Sequence, residues 1–184
     1  VLLNEDDIKH FRVLADKQLE DFTNLKTKLY AHQKELKNAF KKVGEDCLGL
    51  IASHDLEHKD FMRATIPKFF TDINEKAFNF TYLSRSETVQ KAIDNHQYYS
   101  KSTLDSVVQS IESIVPEIIN LFNKSKGIYS QFLMNKLALK NIIPLAVLNN
   151  INIELEQIKD ENNIRLNAEF NQLISDNIKE QPAP

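Results

Sequence analysis

An apolar residue recurs at every seventh position over the first fifty residues of this chain, and this repeat constrains the fold more than any other feature. The stripe runs through Ile8, Ala15, Phe22, Leu29, Leu36, Val43 and Leu50. A straight helix drifts by about 20° per heptad against such a repeat, so a repeat this long implies a left-handed supercoil against a long partner helix. The flanking positions are partly apolar too, as at Leu19, Leu25, Ala39, Phe40 and Cys47. A stripe this wide favours a helical bundle over a two-stranded zipper.

Composition points to an all-α class. The chain has 42% hydrophobic and 27% charged residues, which is typical of soluble globular or coiled proteins. Three glycines and five prolines, with no strand-like alternation around tight turns, leave little material for β-hairpins. We therefore expect three long, kinked helices in an antiparallel coiled-coil bundle, forming a single domain over 1–180 with an exposed tail at 181–184.

Helix boundaries follow from caps, prolines and changes of heptad phase. The expected features are a first helix over 6–53, a second from about 65, a kink at 84–87, a bend at Pro116, a loop at 123–127 and a last long helix from 145. Thr65 is the expected cap of the second helix. In the last helix, Asn162 stands where the stripe predicts an apolar residue, so it either fixes register or marks a frayed edge of the stripe.

Charge and hydropathy exclude two classes of function. The net charge is −3, so no global basic field attracts nucleic acid, and any contact with an anionic partner must be local. No apolar run reaches the roughly 18 residues of a membrane span, and the densest run, 142–148, contains Pro144. We therefore expect neither a nucleic-acid partner nor an integral membrane protein.

No motif predicts catalysis or a cofactor. The chain lacks a glycine-rich phosphate loop, a nucleophile motif and a repeated Glu-x-x-His pattern. His54 and His58 have a spacing that can chelate zinc on a helix, but no third ligand is evident and the segment is typical of a turn. Enzyme activity, a cofactor and a metal site are therefore not expected.

Four lysines in the middle of the first helix form the candidate membrane-binding patch. They are Lys34, Lys37, Lys41 and Lys42. All four fall on the side away from the heptad core, and each basic residue near an anionic leaflet contributes on the order of 1 kcal/mol. Glu35, Glu45 and Asp46 dilute this field. A solvated helix face is the alternative interpretation.

Two segments carry a resemblance to a known family. Leu29 to Val43 reads LYAHQKELKNAFKKV, and the acidic, leucine-containing segment Glu154 to Glu161 is followed by a charged stretch and Phe170. These segments resemble the first and last helices of the BAR-domain superfamily, most closely the BAR domains of sorting nexins. The segment from Pro116 to Pro144 departs from the family's unbroken helix.

The resemblance implies a function and a partner. It implies a crescent-shaped homodimer, or a heterodimer with a related BAR protein, that senses or remodels curved membrane in endosomal trafficking. The partner surface would be an anionic, phosphoinositide-containing membrane, the location cytoplasmic and peripheral on endosomes, and a phosphoinositide-binding domain would precede Val1. The expected dimer or core residues are Phe22, Leu29, Leu36, Phe40, Val43, Leu50, Leu155 and Ile158.

A second function class fits the same helices. A helical protein–protein interaction module, such as a tethering-complex subunit or a bundle toxin or adhesin domain, needs the apolar stripes but no lipid binding. Dimerisation through a large apolar surface, with curvature-dependent vesicle binding, favours the BAR-type scaffold, whereas a compact monomer favours the interaction module. We expect the chain not to be a monomer, because the stripes expose more apolar surface than one extended three-helix layer can cover.

Overall fold

The computed structural model describes residues 17–164, 170–171, 174–175 and 177–178. Four α-helices lie within 17–164: α1 (Leu19–Ser53), α2 (Thr65–Lys76), α3 (Tyr82–Asp94) and α4 (Asp105–Asn162). Two 3₁₀ turns, His58–Asp60 and Met62–Ala64, connect α1 to α2. The all-α class is confirmed. The prediction of three long helices is wrong, because α2 and α3 have only 12 and 13 residues.

Helix α1 confirms its predicted end but not its predicted start. It ends at Ser53, and a turn follows at His54 and Asp55. Lys17 and Gln18 lie outside the helix, and the Gln18 backbone N–H donates to the Asp21 carboxylate at 2.9 Å. This bond satisfies a donor at the helix N-terminus, as in a capping box. The expected helical residues from 6 to 16, and the stripe positions there, lie outside the described residues.

The break between α2 and α3 comes earlier than predicted. Helix α2 begins at Thr65 as expected, although Ala64 and not Thr65 is its cap. The chain leaves α2 at Ala77, which has φ 50° and ψ −114°, whereas Ser84 and Glu87 lie inside α3. The kink expected at 84–87 is therefore wrong, and Ser86 instead donates its hydroxyl to the Leu83 carbonyl within the helix.

Helix α4 is continuous over 58 residues. It contains Pro116, where a bend was expected. It also continues through 123–127 and through 145, so the loop expected at 123–127 and the helix start expected at 145 are both wrong. Ser125 shows the physical reason: its hydroxyl donates to the Phe122 carbonyl at 2.7 Å and lies 2.8 Å from the Tyr82 hydroxyl. Polar residues that favour a loop in isolation are satisfied here inside a buried helix.

Asn162 is the last residue of α4. Its side chain is exposed, and its amide nitrogen donates to the Ile158 carbonyl at 2.8 Å. The next residue, Asn163, has φ 51°, a left-handed conformation common after helix C-termini. Whether Asn162 fixes register in an assembly or marks a frayed edge of the stripe stays a prediction.

The chain divides into two compact units. The core unit is 27–140, and the terminal unit combines 1–26 with 141–184. Within the core unit, the Asn135 amide donates to the Leu29 carbonyl at 3.0 Å, and the rings of Phe40 and Tyr129 lie 6.5 Å apart. Helices α1 and α4 therefore run antiparallel within this unit. The prediction of a single domain over 1–180 stays a prediction.

Aromatic rings fill the core unit. Phe78 stacks between Phe40, at 4.5 Å between centroids, and Phe132, at 3.7 Å. Tyr82 stacks on Tyr129 at 4.0 Å. Aromatic pairs of this kind contribute about 0.5–1.5 kcal/mol beyond the area they bury. The rings come from α1, the α2–α3 connection, α3 and α4, so they join all of these elements into one core.

Two further contacts hold α2 in place within the core unit. A Cβ added at Gly44 of α1 would lie 2.6 Å from the Phe70 carbonyl oxygen and 2.7 Å from the Asn74 nitrogen, so the two helices touch at this glycine. The nearly buried Asp72 carboxylate pairs with Lys76 at 2.6 Å and with Arg85 of α3 at 3.3 Å. Close packing and an ion-pair bridge thus fix α2 against its neighbours.

The terminal unit is built differently. Its described buried apolar side chains are Phe22, Ile142 and Ala146, whereas exposed large apolar side chains follow one another along its part of α4. Within this unit the Asn149 amide donates to the Lys17 carbonyl at 2.7 Å, which ties the start of α1 to α4. The described part of the terminal unit therefore leaves most of its apolar surface uncovered.

Candidate functional site

An apolar row along the last turns of α4 is the strongest candidate site, and we call it the assembly face. It consists of Leu148, Ile151, Leu155 and Ile158, which are 61%, 57%, 37% and 51% exposed. Their spacing of three, four and three residues places all four on one side of the helix, as in the seam of a coiled coil. Helix α4 is unbroken through this row and ends beyond it, at Asn162.

A shallow groove lies in the same unit. Its volume is about 150 Å³, and it is lined from α1 by Leu19, Phe22, Thr23 and Lys26 and from α4 by Ile142, Ile143, Ala146 and Val147. Ile143 and Val147 are exposed and occupy the helix positions before the assembly face. The groove widens the apolar surface that the terminal unit presents to solvent.

This exposure is energetically unfavourable for an isolated chain. Burying one Leu or Ile side chain fully is worth about 1.5–3 kcal/mol relative to leaving it exposed. Contiguous apolar patches are uncommon on monomers and mark interaction sites. The assembly face is therefore a surface that another apolar surface can cover.

The predicted dimer or core residues divide into three groups. Phe22, Leu36, Phe40 and Val43 are buried, and Leu29 and Leu50 are half-buried. Leu155 and Ile158 are exposed, so they are not part of the core that this chain forms. Their role in a dimer stays a prediction.

The structure separates the four predicted membrane-binding lysines. Lys34 and Lys37 are exposed on one face of α1, and Lys41 is half-buried. Lys42 is exposed and pairs with Asp46 at 3.1 Å on a different side of the helix. Two of the four lysines thus share a rim, and membrane contact by the set stays a prediction.

Lys34 and Lys37 border a second groove, which we call the cationic groove. It lies within the core unit, has a volume of about 350 Å³ and is lined by Tyr30, Gln33, Lys34, Lys37, Phe78, Asn79 and Phe132. Phe78 and Asn79 were not predicted as site residues, because they belong to a turn whose position the sequence did not predict.

Two titratable groups buried in the core, Cys47 and Tyr82, have raised pKa values. Burial raises the pKa of the Cys47 thiol well above its ordinary value. Burial also raises the pKa of Tyr82 to about 12, against the opposing effect of its hydrogen bond with Ser125. A thiol that stays protonated is a poor nucleophile and behaves as a small hydrophobe.

The described residues contain no cluster of three or more His, Cys, Asp or Glu side chains arranged to hold a metal ion. His54 lies in the turn expected for it, where its Nδ1 is 3.1 Å from the Leu50 carbonyl oxygen. In the same part of the chain, no helix combines the length and apolar character that a membrane span requires.

Comparison of the chain with protein-family models, with curated proteins and with solved structures found no match in any of the three. Function is therefore inferred from the surfaces described above.

Proposed function

We propose that this protein is a helical interaction module that associates with further copies of itself through the assembly face. The observation that carries the proposal is the row of four exposed apolar side chains from Leu148 to Ile158. In a symmetric assembly the same patch on two copies covers itself, so one apolar row is sufficient for both partners. The core unit then serves as the folded body that the assembly displays.

The charges around the assembly face favour a protein partner over an anionic membrane. Glu154 and Glu156 lie in the same helical turns as the assembly face, and the Lys159 ammonium donates to the Glu156 carboxylate at 2.9 Å. Anionic lipid attracts basic segments and repels acidic ones, so this face is unsuited to such a surface. A helix from a second copy offers apolar side chains without that repulsion.

The test is the mass of the protein in solution and of two variants that differ by one position. Ile151→Asp places a charge in the centre of the row, and Asn152→Asp adds the same charge at an exposed neighbouring position outside it. Light scattering coupled to gel filtration should give an oligomer for the wild type and for Asn152→Asp, and a monomer for Ile151→Asp. Circular dichroism should show the same helix content in all three.

A wild-type monomer at micromolar concentration would contradict the proposal. Equal masses for the two variants would also contradict it, because the assembly would then depend on another surface.

The membrane scaffold implied by the BAR resemblance is the second candidate function. The exposure of Lys34, Lys37 and Lys42 on α1 favours it. In that function the protein associates with anionic membrane at endosomes and remodels its curvature. Binding to vesicles, and not oligomer mass, separates this candidate from the first.

A further inference from the structure

We infer that the cationic groove is a binding site for an acidic peptide segment that carries an aromatic side chain. The inference concerns a surface different from the assembly face, since every lining residue lies within 27–140. It therefore does not depend on the proposed self-association, and the two can fail separately.

Three elements form the walls of the groove. Helix α1 contributes Tyr30, Gln33, Lys34 and Lys37, whose spacing places them on one face. The turn after α2 contributes Phe78 and Asn79, and α4 contributes Phe132. The turn owes its position to the backbone at Ala77, with φ 50° and ψ −114°. Strained residues of this kind cost about 1–3 kcal/mol and cluster at functional sites.

The floor of the groove is aromatic and rigid. Phe78 is held between Phe40 and Phe132 by two stacked contacts, and the planes of Phe78 and Phe132 differ by only 9°. Both groove rings are half-buried, so part of each remains accessible to a ligand. A preformed aromatic floor binds an apolar side chain without the cost of first ordering the site.

The rim is positively charged although the chain as a whole is negatively charged. The described lining residues include Lys34 and Lys37 and no carboxylate, on a chain of net charge −3. Within the described part of the chain, neither lysine forms an ion pair: Glu35, the nearest acidic neighbour in sequence, instead lies 3.6 Å from His32. The two ammonium groups therefore remain available to an anionic ligand.

Two side-chain amides complete the polar edge. The amides of Gln33 and Asn79 make no hydrogen bond to another described residue, and Asn79 is exposed. An amide offers both a donor and an acceptor, which is what the backbone of an extended peptide requires. The groove thus pairs charge with hydrogen-bonding groups around an apolar floor.

The shape favours a peptide over a small molecule. Small-molecule sites enclose most of their ligand, whereas this groove is open along α1 from Tyr30 to Lys37. That length of helix is about 10 Å, which matches about three residues of extended chain. An aromatic side chain on the floor, with a carboxylate on either side of it, fits this length.

The experiment uses the full chain and a fluorescein-labelled peptide of sequence Asp-Glu-Phe-Asp-Glu, followed by fluorescence anisotropy. Replacing the Phe with Ala should weaken binding about tenfold, because the floor loses its apolar contact. A Lys-Lys-Phe-Lys-Lys peptide should not bind. Raising the salt concentration should weaken the acidic peptide's binding, because the lysines are exposed.

A matched pair of variants locates the site. Lys34→Glu with Lys37→Glu should weaken binding about tenfold or more, since two attractions become two repulsions. Lys28→Glu with Lys42→Glu makes the same charge change on exposed positions of α1 outside the groove and should change binding less than about threefold. Thermal unfolding of both variants confirms that the core unit is intact.

Three results would overturn the inference. The first is that the acidic Phe peptide fails to bind, and the second is that its Phe and Ala forms bind equally. The third is that the two double variants lose binding equally. Phosphatidylserine vesicles provide a further arm: vesicle binding that depends on Lys34 and Lys37, without peptide binding, would assign the groove to a membrane surface instead.

Discussion

Replacing Gly44 with Ala should destabilise the core unit, although Ala is the better helix former. In an open helix position the change stabilises by about 1 kcal/mol. At Gly44 the new Cβ would lie 2.6 Å from the Phe70 carbonyl oxygen and 2.7 Å from the Asn74 nitrogen. Both atoms belong to the backbone of α2, so relief requires the helix to move, and overpacking of this kind costs about 1–3 kcal/mol or more. Both contacts are shorter than 3.0 Å, which places the cost at the upper end of this range, about 3 kcal/mol, and leaves a net loss of about 2 kcal/mol.

Gly49 provides the matched control on the same helix. A Cβ there meets nothing within 4 Å, so Gly49→Ala should stabilise the protein by about 1 kcal/mol. Thermal unfolding followed by circular dichroism measures both changes: about 2–4 °C per kcal/mol gives a fall of about 4–8 °C for Gly44→Ala and a rise of about 2–4 °C for Gly49→Ala. A melting temperature that rises equally in both variants would refute the argument, because α1 and α2 would then not touch at Gly44.

Three further predictions concern an ion pair, a buried phenol and the lysines. Asp72→Ala removes the ion pairs with Lys76 at 2.6 Å and Arg85 at 3.3 Å. The free energy of unfolding, measured in urea, should fall by about 1–3 kcal/mol. An unchanged urea midpoint would show that the ion pairs do not stabilise the protein. Because burial raises the pKa of Tyr82 from 10.0 to about 12, its contribution to stability is complete below pH 10 and is lost as the pH rises through about 12. The melting temperature should fall less over this range in Tyr82→Phe than in wild type, and parallel curves would contradict this. In the membrane function, changing the four lysines of the predicted patch to Glu should abolish binding to small anionic vesicles, since each lysine contributes about 1 kcal/mol. Wild-type protein that does not bind such vesicles would exclude the membrane function.

Patterns local to one helix were readable from the sequence. The heptad stripe predicted α1, its end at Ser53 and the burial of residues such as Phe40 and Val43, because periodic apolar residues need a common face whatever covers them. The low glycine content and absence of strand-like alternation predicted the all-α class. These features depend on backbone geometry and side-chain periodicity, which a few neighbouring residues determine.

The surfaces that carry the functional proposals depended on tertiary structure. Ser125 belongs to a segment typical of a loop, yet its buried hydroxyl bonds with Tyr82 and lies inside α4. The sequence already predicted a helix through the assembly face, and only the fold decided that its four apolar side chains stay exposed. The strained turn at Ala77 places Phe78 between rings from α1 and α4, and so creates the cationic groove. Sequence alone determined which residues prefer burial or a helix. Only the fold decided which polar groups found partners and where helices broke, because those energies come from residues far apart in the chain.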